Sequence, residues 1–271
     1  MSMAAAPETA QPAGIRLGAF VAEQLERAQA CLARRGLSRH SGVHEARKHM
    51  RLARAGLAFG ADALGPAART LDTRLHCVIR GLSALRDSHA LVEAIERLEA
   101  TAEPAQRRLL AAAKSKARDR RQRVLESALA KDPGLGKRRR RLLDLKVRLA
   151  DLEWNAVTEA RLVRGLDKVR RRARRARRHL QDNRVDDEAW HVYRRRIRRL
   201  MQQTSISDRI GLGAPRVRKR IERSAHALGL AQDDRIVLRR CRSPSPFTAQ
   251  QRSLLRTLSR RRIASARNHH A

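Results

Sequence analysis

Aromatic residues make up only 2% of this 271-residue chain. Proteins that hold single-stranded nucleic acid by base stacking need aromatic platforms, and this chain offers few. Acidic residues are also scarce: 27 Asp and Glu stand against 62 Lys and Arg, for a formal net charge of +35. Such an excess strains a compact state by self-repulsion and draws in anions. It points to a polymeric anion: nucleic acid, an anionic membrane surface or a polyphosphate-like chain. Cysteine is rare and scattered. Cys31, Cys77 and Cys241 form no Cys-x-x-Cys pair, which argues against a disulfide framework or a zinc site and fits a reducing cytosol. No apolar run approaches the roughly 20 residues of a membrane span. The Ala/Pro-rich start lacks the basic segment and apolar run of a secretion signal. The expectation is a soluble, cytoplasmic protein. There is no Gly-x-x-x-x-Gly-Lys-Ser/Thr loop, no Gly-x-Gly-x-x-Gly turn and no His-Glu-x-x-His pair, so no cofactor or metal is expected.

Hydrophobic residues, mostly Ala and Leu, make up 42% of the chain, enough for a buried core. Few β-branched residues and no alternating strand pattern make the expected class all-α. After a disordered tail over 1–14, the periodicity predicts helices at about 15–35, 41–64 and 68–85, with another from Asp87. Further helices are expected after Pro104 to 130, at 137–152 and 156–181, from 186, and at 216–228, 233–241 and 248–263. Gly36, Gly65-Pro66, Asp132-Pro133-Gly134 and the loop from Gly211 to Pro215 supply the breaks.

The segment 43–54 carries two stripes at helical spacing. Val43, Ala46, Met50, Ala53 and Leu57 share an apolar face; His44, Arg47, Lys48, Arg51 and Arg54 share a cationic one. A shift of 147 residues brings a second copy into phase, with His44 on His191, Arg47 on Arg194, Lys48 on Arg195 and Arg51 on Arg198. Further on, Leu82 to Asp87 lines up with Leu228 to Asp233, Arg74 with Arg220, and the interval from His to Asp is 43 residues in one copy and 42 in the other. A basic helix repeated with its later Asp reads as a duplicated helical bundle.

These residues resemble the CHAD family, the conserved-histidine α-helical domain. Its pattern is a His followed at +3, +4 and +7 by Arg or Lys, then a later Arg-Asp or His-Asp, all repeated. The resemblance spans about 15–265, with one half at about 15–150 and the other at about 155–265. It implies two four-helix bundles related by a pseudo-two-fold, with a central basic pore or groove. It also implies binding of inorganic polyphosphate on polyphosphate or polyhydroxyalkanoate granules. The Glu-x-Glu-x-Lys signature of the triphosphate tunnel fold, often fused to this family, is absent, so the chain reads as a stand-alone binder.

Guanidinium forks suit phosphoryl oxygens. The expected polyphosphate contacts are therefore His44, Arg47, Lys48, Arg51, Arg54, His191, Arg194, Arg195 and Arg198. Arg74 and Arg220 are added, with Arg170, Arg174 and Arg177 from the arginine run at 168–178. His44 and His191 also fit ordinary helix-surface or core histidines. Asp87 and Asp233 fit either helix N-caps or carboxylates that orient a basic side chain from the His helix. The cluster at 137–141 reads as an exposed source of long-range attraction. The expected activity is non-catalytic polyphosphate binding at intracellular granules. The alternatives are a nucleic-acid binder, which charge alone does not exclude, and a structural coat of storage granules.

Overall fold

Both apolar stripes of the repeat are buried: Val43, Ala46, Met50, Ala53 and Leu57 in the first copy, and Trp190, Tyr193, Ile197 and Leu200 in the second. Burying them dictates the helices around them. In the computed structural model, residues 11–183, 186–213 and 219–270 are described. They fold into nine α-helices with no strand among them. These are α1 (Ala13–Ala33), α2 (Arg39–Gly81), α3 (Ser83–Ala100), α4 (Pro104–Lys131), α5 (Gly136–Leu149), α6 (Glu159–Asp182), α7 (Asp187–Arg209), α8 (Lys219–Arg240) and α9 (Ala249–His270).

α2 is two limbs. At Gly65 the backbone turns to φ 64°, ψ −150°, a region open to glycine, and Pro66 opens the second limb without an N–H to leave unpaired. Arg54 on the first limb grips Asp72 on the second through two hydrogen bonds of 2.7 and 2.8 Å. The second limb ends at Gly81. Its last carbonyls are held by cations, as suits a helix C-terminus: Arg47 donates to Ile79 O, and Arg138 donates to Gly81 O at 3.1 Å. Arg138 is itself anchored on Asp132, a buried carboxylate in the turn after α4 that also accepts from Lys137 N at 2.8 Å.

α1 lies along α2, α3 along α4, α6 along α7 and α8 along α9, while α3 packs against α8. Three apolar clusters result. The first joins α1, α2 and α5 with parts of α6 and α7; the second joins α3, α4, α8 and α9; the third joins α6, α7 and α8. The second cluster therefore draws helices from both the 15–150 and the 155–265 segments.

Several boundaries differ from expectation. α1 starts at Ala13, so Ala13 and Gly14, assigned to the tail, are helical and buried; residues 1–10 lie outside the described residues. α2 starts at Arg39 after a 3-10 turn at Gly36–Ser38, and the Ser41 hydroxyl donates to Ser38 O at 2.8 Å inside the helix. The break expected between 85 and 87 falls at Leu82, where Arg47 and Arg138 tie down the helix end. The helices expected at 216–228 and 233–241 are a single α8 that runs through Gly229; positions 216–218 lie outside the described residues. Gly229 lacks the loop residues or proline that would stop a helix, and Leu228, Ile236 and Val237 continue the buried face past it.

Two glycines give predictions of opposite sign. A Cβ at Gly14 would stand 1.9 Å from Trp154 O. Gly14→Ala should therefore lower stability by about 1–3 kcal/mol, the usual cost of overpacking. A Cβ at Gly229 meets nothing, so Gly229→Ala should raise stability by about 0.5–1 kcal/mol. Urea unfolding followed by circular dichroism reads both.

Candidate functional site

The rotation of α7 is set at its start, where the Asp186 carboxylate caps the helix by accepting from Glu188 N and Ala189 N at 2.8 and 3.2 Å. With Trp190, Tyr193 and Ile197 turned inward, His191, Arg194 and Arg198 line an adjacent face. α2 does the same with Met50 inward and Arg51 beside it. The two faces meet: Arg51 lies among Arg47, Arg86, Arg194 and Arg198. Burial, reinforced by these like charges, pulls the Arg51 pKa down to about 9. Burial, then Arg198 and Arg86, takes Arg194 to about 10, and burial lowers Arg198 as well. Arg51, Arg194 and Arg198 form no ion pair among the described residues, and the buried Nε of Arg194 has no hydrogen-bond partner. Guanidinium groups withdrawn from water and set against each other are destabilising until an anion joins them.

Two carboxylates border the cluster. Asp87 lies within α3 and Asp233 within α8, well inside each helix, so neither is an N-cap. Their ion-pair partners are arginines of α3 and α8, not of the His-bearing helices α2 and α7. Arg86 bridges them, at 2.8 Å from Asp87 and 3.5 Å from Asp233. Arg97 stands 3.7 Å from Asp233 and Arg239 stands 3.5 Å from Asp87. Burial raises the Asp233 pKa against the pull of Arg86 and Arg97. The two carboxylates hold Arg86 in place; Asp233 also offsets part of the fall in the Arg198 pKa, but among the described residues neither carboxylate pairs directly with Arg51, Arg194 or Arg198.

Each motif histidine faces the residue two positions after its later Asp. His44 meets His89 edge-on, with ring centroids 6.0 Å apart. His191 Nε2 lies 2.8 Å from Arg235 Nη1, and Arg235 also donates to Asp187 at 2.8 Å. Burial, then Arg235 and Arg194, lowers the His191 pKa.

His44, His89 and Glu93 offer ligand atoms within 4.8 Å of one another, the one such group among the described residues. Arg121 Nη1 lies 3.5 Å from His89 Nδ1. An acceptor role for Nδ1 puts the proton on Nε2, which faces Glu93 at 3.5 Å. That tautomer donates a hydrogen bond and has no lone pair free for a cation.

The remaining expected contacts are placed differently. Arg47 is buried, 6% exposed, and donates to Ile79 O and, at 3.4 Å, to Ser83 Oγ; it supports the cluster from beneath. Lys48 is on the surface, 3.5 Å from Glu45. Arg54 is engaged by Asp72 and His76. Arg195 is exposed and pairs with Glu188 at 2.9 Å. Arg170 pairs with Asp167 at 3.0 Å. Arg74 and Arg174 are exposed, and Arg177 is half-buried on α6. The side chain of Arg220 lies outside the described residues. Arg86, Arg97, Arg235 and Arg239 join the site without having been foreseen. Arg86 had a signal, the Arg-Asp step of the repeat, and Arg235 stands two residues after the second Asp. Arg97 and Arg239 had none.

The CHAD domain family model matches residues 19–242, most of the chain, which therefore belongs to the CHAD family. No curated protein matches it.

Partly buried histidines make stability pH-dependent. Burial, with Arg121 and His89, lowers the His40 pKa to about 4. Burial also lowers His49, His76, His89 and His191. Unfolded imidazoles titrate near ~6.5. Below that the unfolded chain takes up protons that the folded chain refuses, so stability falls as pH drops toward 4. Asp234, raised to about 6 by burial, and Asp233 work in the opposite direction below pH 6. Five histidines against two carboxylates set the net sign. The thermal midpoint should be lower at pH 5 than at pH 7.5, and His40→Gln should reduce the difference.

Proposed function

We propose that this CHAD-family protein binds inorganic polyphosphate without turning it over, on the cluster where α2 and α7 meet between α3 and α8. The observation that carries this reading is the set of desolvated guanidinium groups of Arg51, Arg194 and Arg198, which form no ion pair among the described residues. A chain of phosphoryl groups brings about one negative charge per unit with oxygens on every side. It supplies the acceptors these forks need and neutralises several cations at once. His191 and His44 stand at the edge of the cluster as further donors. The matching pairs Arg51/Arg198 and His44/His191 support the view that the two halves form one groove with approximate two-fold symmetry. Binding to a polymer on many cations releases condensed counterions, so affinity falls steeply with salt and rises with chain length. In the cell this reading places the protein in the cytoplasm, on polyphosphate-bearing storage granules.

Nothing here requires RNA in place of polyphosphate, and the few aromatic residues, with Trp190 and Tyr193 buried, leave little surface for base stacking. In competition at physiological salt, polyphosphate of defined length should displace RNA and duplex DNA. RNA outcompeting polyphosphate tenfold would overturn the reading, and so would phosphate release or chain shortening lost on His44→Ala. A granule position unchanged in cells without polyphosphate would point to a coat protein instead.

Charge-assisted hydrogen bonds contribute about 1.5–3 kcal/mol each. Arg51→Gln with Arg198→Gln should therefore weaken polyphosphate binding by at least ~10-fold. The same double variant should unfold no earlier than the parent in anion-free buffer, because it removes repulsion between desolvated cations. Reversal of the exposed pair Arg140 and Arg141 to Glu should have the smaller effect; an equal loss would mean diffuse attraction. An anion beside His191 restores the imidazole's depressed pKa, so binding should take up protons and tighten between pH 7.5 and 6. Titration calorimetry in buffers of different ionisation enthalpy measures that uptake.

A further inference from the structure

α7 carries a second row of cations on the face next to Arg194 and Arg198. Arg195, Arg196 and Arg199, with Lys168 and Arg172 of α6, line a cleft of about 510 Å³ whose floor is Phe59 of α2. Two of these five cations are matched at the surface: Lys168 with Asp62 at 3.0 Å and Arg195 with Glu188 at 2.9 Å. Arg172, Arg196 and Arg199 form no ion pair among the described residues. Arg199 is the most withdrawn from water, and burial lowers its pKa. The carboxylate that offsets this, Asp72, is already held by Arg54 through both of its oxygens. Arg54 and Arg196 add like charge to Arg199. Lys168, Arg172, Arg195 and Arg196 are exposed around the rim, while Arg199 is partly withdrawn beside apolar lining residues, a setting in which an anion with several charges and many acceptor oxygens gains most.

We propose that the cleft between α2, α6 and α7 is a second condensed-phosphate site, separate from the Arg51–Arg194–Arg198 cluster. One protein molecule then holds a polyphosphate chain at two places, or two chains at once. This inference rests on the polyphosphate reading of the cluster.

The test is titration calorimetry with sodium tripolyphosphate on the full chain, with folding followed by far-UV circular dichroism. The parent should bind two molecules. Arg172→Glu with Arg196→Glu, both exposed positions, should bind one and should lose several-fold in affinity for long-chain polyphosphate. Arg51→Gln with Arg198→Gln should also bind one, and the four changes together should bind none. One molecule bound by both the parent and the cleft variant overturns the second site and leaves the cluster reading intact. Tripolyphosphate binding unaltered by the Arg51 and Arg198 changes overturns the cluster reading itself. A graded loss with unchanged stoichiometry, matched by Glu at Arg140 and Arg141, overturns the second site in favour of diffuse attraction.

Discussion

The structure depends on a repulsion. Arg51, Arg194 and Arg198 are positively charged, largely removed from water and close to one another, a grouping that a chain does not adopt for its own stability. The apolar stripes hold it together. Met50 and Ile197, at matching positions in the two copies, are buried, and each fixes the rotation of a helix whose neighbouring face is cationic. To swing an arginine outward, α2 or α7 would have to expose the stripe beside it. Apolar burial therefore offsets the electrostatic cost, and under the proposed reading the cluster is preorganised for an anion.

Around this cluster, side chains of one type do quite different work according to their surroundings. Arg47 and Arg138 hold carbonyls at the end of α2. Arg54 clamps two limbs of the same helix through Asp72. Arg86 is shared between carboxylates of two helices. Each of these is a donor with its acceptor supplied by the protein. What separates the proposed binding cations from them is that no described residue forms an ion pair with them, and that separation depends on tertiary contacts.

The helical class and the first buried stripe were legible because helical periodicity is a local property: Val43 to Leu57 read directly as one inward face. The repeat was legible because two copies kept the same phase. Less could be read from spacing alone. Arg47, Lys48 and Arg51 lie within about a third of a turn of one another, yet one is beneath the site, one is on the surface and one is central. A helical wheel does not say where the neighbouring helices stand. Asp87 and Asp233 looked like helix starts because the breaks were set a few residues too late in one case, and where no break exists in the other. The true break at Leu82 depends on Arg47 and Arg138, which are distant in sequence. Arg97 and Arg239 reach the acidic pair from α3 and α8, and no local pattern marks them.

Arg86 has one more consequence. The alignment of the two copies that places Asp87 on Asp233 places Arg86 on Gln232. One guanidinium therefore serves both carboxylates, and its counterpart is uncharged. A linear phosphate chain reads the same from either end, but the surface that meets it does not. At this pair of matching positions the charge stands on α3 alone, so the pairing of α3 with α8 is not symmetric there, and any linear polymer that followed the proposed groove would meet a different surface from each end.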